Sequence, residues 1–228
     1  MAKTVTSVLT EATDILLDSG MTRWTQAELI RWLNAARREI AIFRPDIYSV
    51  TYVATLVAGT KQTIPADGNG FLDATRNIAS NGTTAGRAVR IIEREILDAH
   101  RPDWHTETAA SAVKHFMFDE REPRTFYVYP PVVAGTNLEI KYSKTPVELI
   151  NSDSLNEDEL YSSAIVDYIL YRAFSKDAEY TGNMARATTH YAAFANALGV
   201  GLKNKLVASP NTANIGGAVP RVGAAAQA

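Results

Sequence analysis

The chain of 228 residues contains no cysteine. That excludes disulfides, thiolate metal sites and a cysteine nucleophile, and it fits a reducing compartment. No apolar run approaches the roughly 20 residues needed to span a bilayer. The opening residues, MAKTVTSVLTEATD, carry acids where a signal peptide needs an apolar segment, so neither secretion by that route nor a membrane span is expected. Excess charge is lacking too: 23 basic and 25 acidic residues leave a formal net charge of −2, which does not point to nucleic acid as the main ligand. Neither a phosphate-cradling glycine pattern nor a nucleophile elbow occurs. The histidines His100, His105, His115 and His190 are scattered, with no pair at the i, i+4 spacing of a helical zinc site. Asp103 and His105 lie close enough to suggest a metal or acid/base pair, but the turn Arg101-Pro102-Asp103-Trp104 reads more simply as a packed loop anchored by its tryptophan. The acids Asp153, Glu157, Asp158 and Glu159 suit the positive end of a helix dipole better than a metal. No catalytic, cofactor or metal site is therefore expected, and the protein reads as a non-enzyme. A hydrolase would need a cluster of titratable groups that the sequence does not offer.

What is present is ordinary globular composition, 46% hydrophobic and 21% charged, enough for one large domain or two small ones. The organising stretch runs from Asn156 to Gly199 and reads as two amphipathic helices separated by Gly182. Leu160, Ala164, Ile165, Tyr168, Ile169 and Tyr171 recur at helical spacing in the first, and Met184, Ala187, Tyr191, Phe194 and Leu198 form a stripe in the second. Asn156 is a candidate cap, and Gly199 and Gly201 predict fraying. Two further helices open the chain. Residues 4 to 19 place Val5, Val8, Leu9, Ala12, Ile15 and Leu16 on one face before Gly20. Thr25-Gln26-Ala27-Glu28 has the form of a capping box for a helix carrying Leu29, Leu33, Ala36, Ile40 and Phe43 and ended by Pro45.

Between these pairs the signals are for strands. Tyr48 to Val57 and Gln62 to Ile64 predict a hairpin around Gly59. Residues 65 to 86 predict loops with one short strand near Ile78. Arg87 to Ile92 reads as a strand, Glu93 to Arg101 as a short helix, and Val113 to Phe118, Thr125 to Tyr129 and Asn137 to Tyr142 as strands. Pro130 to Gly135 fits a hairpin turn joining the last two. The fold class is thus α+β: a four-helix bundle from residues 1–45 and 151–206, an inserted β-rich domain over 46–150, and an extended C-terminal arm over 207–228, where the composition becomes small and apolar.

Charge is segregated by element. Residues 23 to 44 carry five arginines (Arg23, Arg31, Arg37, Arg38, Arg44) against two glutamates, whereas residues 157 to 180 carry six acids against two bases. Either these helices pair within one subunit or face water, or they face each other between subunits of a head-to-tail ring, with Arg31, Arg37 and Arg38 opposite Asp167, Asp177 and Glu179. An alternative is a nucleic-acid-binding module using the arginine-rich helix 23–44, which would need exposed basic residues free of acidic partners.

Several phrases together resemble one family. They are Phe43-Arg44-Pro45 after the capping box, Arg101-Pro102-Asp103-Trp104, the run Phe126 to Pro131 (FYVYPP), Ile140 to Ser143 (IKYS) and Tyr168 to Glu179 (YILYRAFSKDAE). In order and layout over most of residues 20 to 200 they are similar to the head-to-tail adaptor of short-tailed bacteriophages, the tail-tubular-protein-A type. The resemblance implies a dodecameric homo-oligomeric ring at the head–tail junction of the virion, assembled in the host cytoplasm. It also implies contacts with the portal protein, the tail nozzle protein and tail fibres, with genomic DNA passing through the central channel during ejection. In that setting the tail becomes a portal-binding arm. Ile215, Val219, Pro220 and Val222 are its apolar anchors, and Arg221 is its single charge-assisted donor.

Overall fold

The computed structural model describes residues 3–155 and 159–208, with residues 200–208 as helical backbone only. Among the described residues, five α-helices and two four-stranded sheets make an α+β chain. Helix α1 (Val5–Leu16) is capped by Thr4, whose hydroxyl accepts from the Ser7 amide, and it buries Val5, Val8, Leu9 and Ala12. It ends three residues before the expected limit. Leu17 adopts the left-handed conformation, its amide donating to the Asp14 carbonyl and that of Asp18 to the Thr13 carbonyl, so the helix is closed before Gly20 is reached.

Helix α2 (Gln26–Phe43) starts at Thr25 as read, but the capping box does not form. The Thr25 side chain caps nothing, and the Glu28 carboxylate instead accepts from Lys176 Nζ at 2.6 Å. Leu29, Leu33, Ala36 and Ile40 face inward, while Phe43 is half exposed at the helix end. Helix α3 (Arg94–His100) is short and lies among the strands in sequence. Helix α4 (Ser162–Lys176) follows a 3-10 turn at Glu159–Tyr161 and packs on α1, on α2 and on helix α5 (Asn183–Ala208). Residues 156–158, with the proposed Asn156 cap and the acids Glu157 and Asp158, lie outside the described residues. Leu160 falls in the 3-10 turn with its side chain almost wholly exposed, not on the buried face expected for it. Helix α5 runs unbroken through Gly199 and Gly201, a correction to the predicted fraying. A glycine weakens a helix interior by about 1 kcal/mol relative to alanine without ending it. Ala187, Phe194 and Leu198 of its stripe are buried, but Met184, in the first turn, is exposed. α1, α2, α4 and α5 share one apolar cluster, which Tyr48 and Leu155 join at its border.

The strands depart further from expectation. β1 (Ser49–Thr55) and β2 (Gly59–Thr63) do not form a hairpin: β1 pairs with β8 (Asn137–Lys144) and β2 with β7 (Thr125–Val132), in different sheets. Nor do β7 and β8 form one. Pro130 and Pro131 lie inside β7, opposite a shift in register on β2, where their missing amides are not needed, and the Pro131 carbonyl accepts from Ala110 at 2.7 Å. The stretch read as loops with one short strand near Ile78 holds an eleven-residue strand ending at that residue, β3 (Gly68–Ile78), and a shorter one, β4 (Ala85–Ala88). Three register shifts against β8 break the alternation of β3 and hide it from a period-two reading. Gly68 is required there, because a Cβ would lie 2.6 Å from Ile64 and 2.8 Å from Tyr142. The sheets have orders β1-β8-β3-β4 and β2-β7-β6-β5, with β6 (His115–Phe118) parallel to the short β5 (Arg90–Ile91). Their inner faces meet in a second apolar cluster in which Phe71 of β3 stacks on Phe126 of β7, centroids 4.4 Å apart.

Asn77 links the two sheets. Buried on β3, it donates to the carbonyls of Arg87 (2.9 Å) and Val113 (2.8 Å) and accepts from the Val113 amide (2.7 Å). Replacing it by alanine takes this partner from the buried amide and carbonyl of Val113 and from the part-buried carbonyl of Arg87, and the expected loss is about 2–3 kcal/mol in the free energy of unfolding by urea. A loss below about 0.5 kcal/mol would mean that water takes over all three bonds.

Candidate functional site

Among the described residues, no group of three or more His, Asp or Glu is placed to hold a metal. Trp104 is fully buried, its indole N–H donates to Asp98 at 2.8 Å, and its ring stacks on His105, whose Nδ1 lies 2.8 Å from the Thr60 hydroxyl. Asp103 and His105 are thus parts of an anchored turn. His190 meets Asp167 at 2.9 Å, and His100 bonds the Ile96 carbonyl in its own helix. An open groove of about 560 Å³ lies beside α3 and β6, lined by Glu93, Glu95, Asp119 and Glu120 with Arg94 and Arg121 among them.

The charged residues predicted to act between subunits are largely engaged inside one. Arg37 is buried and donates to the Val147 carbonyl, and Arg38 pairs with Glu148 at 2.8 Å. Asp177 pairs with Arg23, which also lies over the rings of Trp24 and Tyr180. Asp167 is held by His190. Arg31 and Glu179 are exposed. The packing of α2 on α4 explains this outcome: Arg23–Asp177 and Glu28–Lys176 both bridge the basic and acidic segments within the subunit. The arm residues Ile215, Val219, Pro220, Arg221 and Val222 lie outside the described residues.

Exposed large apolar residues gather at two ends of the helical layer, and others, Tyr52, Val57, Leu72, Ile91, Ile96 and Val133, lie in the sheet half. Where α1 turns into α2 and α4 into α5, Ile15, Leu17, Tyr180 and Met184 are exposed. The loop there is rigid. The Asp18 carboxylate accepts from the amides of Trp24, Thr22 and Arg23 at 2.9–3.0 Å, bonds that hold its pKa below the usual carboxylate value. At the end facing the sheets, Ile42, Phe43, Val50, Val147, Ile150 and Leu160 are exposed. The segment 147–149 is strapped to α2 there, since Asn34 both donates to and accepts from the Leu149 backbone at 2.9 Å. Beside the strap lies a groove of about 370 Å³ with apolar walls from Ile47, Tyr48, Val50, Pro146, Val147 and Leu149. Inside the helical layer, burial raises the pKa of Glu39 against the opposing pull of Arg172, and one of its carboxylate oxygens has no hydrogen-bond partner.

Sequence reading missed these two ends. Their only local signal was a run of apolar residues, Ile15 to Leu17, overshooting the helix, and exposure at Val147 and Ile150 depends on packing that periodicity does not encode. No helix is long and apolar enough to cross a membrane among the described residues.

A family model described as SU10 adaptor protein matches residues 3–214, nearly the whole chain, and the chain belongs to that family. Its role is therefore that of a structural bacteriophage adaptor, a component of the virion, and the resemblance to phage head-to-tail adaptors holds at the level of the family. No curated protein matches it.

Proposed function

We propose that this chain forms an adaptor ring joining the phage portal to the tail nozzle and enclosing part of the DNA channel. The observation that carries the reading is the family match over residues 3–214. The two apolar ends of the helical layer support it, because a subunit with two different exposed patches suits head-to-tail contact, and such contacts close into rings. In this reading α1, α2, α4 and α5 act as a four-helix bundle that sets the spacing between subunits. Residues 46–150 act as the inserted domain turned toward the nozzle and fibres. Twelve-fold stoichiometry comes from the resemblance alone. Arg31 and Glu179 are the exposed members of the opposed charge sets and supply the electrostatic part of the subunit contact. Arg37, Arg38, Asp167 and Asp177 position that surface from within. Exposed ion pairs contribute about 0–1 kcal/mol each, so apolar burial must supply most of the affinity.

The residues after α5 serve in this reading as an arm that reaches the portal. Fully extended at about 3.3 Å per residue, residues 209–228 would reach on the order of 65 Å. Ordering them costs about 1–2 kcal/mol per residue, so a single arm binds weakly and a ring of arms binds securely. The experiment is negative-stain imaging and sedimentation of the full chain and of a chain lacking residues 209–228, each with and without portal rings. The full chain should form rings on the portal, and the truncated chain should fold and assemble but lose at least tenfold in portal affinity. Portal binding equal to that of the full chain would remove the arm from the reading, and failure to form rings under any condition would remove the ring.

The nucleic-acid alternative loses its support. Arg37 and Arg44 are buried, and Arg23 and Arg38 are ion-paired, so helix α2 does not offer a free basic face.

A further inference from the structure

An anionic partner needs exposed cations without acidic neighbours, and helix α2 fails that requirement while one corner of the sheet half meets it. Residues 74–92 and 108–118 contain no aspartate or glutamate, although the whole chain has 25 acids against 23 bases. Three cations of these segments, Arg87 of β4, Arg90 of β5 and Lys114 just before β6, are exposed, and none has an ion pair or a side-chain hydrogen bond among the described residues. A fourth, Arg76, is paired with Glu139. In the helical layer, by contrast, Arg23 is spent on Asp177, Arg38 on Glu148 and Lys176 on Glu28.

Tertiary contacts bring the three cations together. The side-chain amide nitrogen of Asn77 donates to the Arg87 carbonyl at 2.9 Å and to the carbonyl of Val113, the residue before Lys114, at 2.8 Å. The Arg90 amide in turn donates to the Lys114 carbonyl at 3.2 Å, and β5 runs parallel to β6 from there. Between Arg87 and Arg90 the buried Val89 pins the crossing from one sheet to the other, its amide donating to the Thr75 carbonyl at 3.1 Å. The backbones that carry the charges are thus fixed by internal hydrogen bonds, while the charged ends stay in solvent. All four residues of β4 are exposed, and besides Arg87 they are Ala85, Gly86 and Ala88, so nothing bulky stands along that edge.

We propose that Arg87, Arg90 and Lys114 form a contact for the phosphate backbone of double-stranded DNA. The inference rests on the channel in the reading above and names the edge of the sheet half that meets the DNA. Phosphate contact fits this edge better than protein contact, because β4 has no large apolar side chain to bury and protein interfaces are built around apolar centres. Contacts to phosphate carry no sequence information, and copies arranged in a ring add them up.

The test is binding of the full chain to two fluorescent duplexes of roughly 30 base pairs and unrelated sequence, followed by anisotropy from about 50 to 200 mM salt. Both duplexes should bind equally well. Arg87→Ala, Arg90→Ala and Lys114→Ala together should weaken binding at least tenfold at the lowest salt and flatten the slope of log K against log salt by about 2.7, at about 0.9 per lost phosphate contact. The melting temperature should not move, since none of the three side chains has a partner to lose. A chain with Lys3→Ala and Lys61→Ala, whose charges are already met by Glu11 and Glu122, should bind as wild type does. Wild-type binding by the triple variant overturns the inference, as does a wild-type chain that binds neither duplex at about 50 mM salt. Equal affinity for poly-glutamate assigns the surface to an acidic protein and overturns it as well. Sedimentation of the same samples reads the ring separately. Rings that do not bind DNA keep the ring and remove the contact, whereas DNA binding through these residues by a chain that never assembles keeps the contact and removes the ring.

Discussion

Replacing Arg44 by alanine is expected to lower the free energy of unfolding by about 3–4 kcal/mol, the cost of breaking a charged pair with one buried member and leaving a cavity. Arg44 is 1% exposed and makes a two-pronged contact with Asp46, Nε to one carboxylate oxygen at 2.9 Å and Nη2 to the other at 3.0 Å. Its remaining nitrogen donates to the Tyr161 hydroxyl at 3.0 Å. The hydrogen bonds it donates to the Asp46 carboxylate, against the opposing effect of burial, hold the guanidinium charged with a pKa above its ordinary value. These partners sit where the chain leaves the helical layer for the sheets and where it returns to start α4, so one side chain ties the end of α2 to the segment that opens α4. Arg44→Lys keeps the charge but not the planar fork and should recover only part of the loss, leaving about 1–2 kcal/mol. Urea titration followed by circular dichroism checks both numbers. A loss below about 1 kcal/mol for the alanine variant would show that solvent replaces the fork at little cost.

The second large effect is expected at Trp104. Trp104→Ala should cost about 3–5 kcal/mol, the range for removing a large aromatic side chain from a packed interior. The side chain has no exposed surface, stacks on His105 with centroids 3.6 Å apart, meets the edges of Tyr127 and Tyr129, and closes a small cluster with Leu97 and Met117. Trp104→Phe retains much of the packing but abandons the bond to Asp98, whose side chain is 47% exposed and free to hydrate again, so about 1–2 kcal/mol is expected. Amide hydrogen exchange distinguishes a local from a global consequence. In the alanine variant, α3 and residues 101–112 should lose protection first, because this cluster is separate from the main sheet core. Uniform loss of protection across all helices would contradict that separation.

Helices were legible in the sequence because their signal is local: Val5, Val8, Leu9 and Ala12, or Leu29, Leu33, Ala36 and Ile40, repeat at 3.6-residue spacing whatever they pack against. The order of helices around strands, the absence of cysteine and the family resemblance were legible on the same terms. Strand partners were not. Neighbouring runs such as Ser49–Thr55 and Gly59–Thr63 look like a hairpin, yet they enter different sheets, because pairing is decided by which distant strands bury the same face. β3 was legible only as a short strand near Ile78, since its register shifts against β8 interrupt the alternation that would have marked its full length. Charge counts likewise identified a basic and an acidic segment, but only the packing of α2 on α4 decided that Arg23 and Lys176 would find Asp177 and Glu28 in the same subunit. For the exposed apolar residues the division is sharper still. Composition told that Leu17, Val50 and Val147 are apolar, and three-dimensional packing alone left them in solvent, because whether an apolar side chain is covered depends on the far side of the molecule and not on its sequence neighbours.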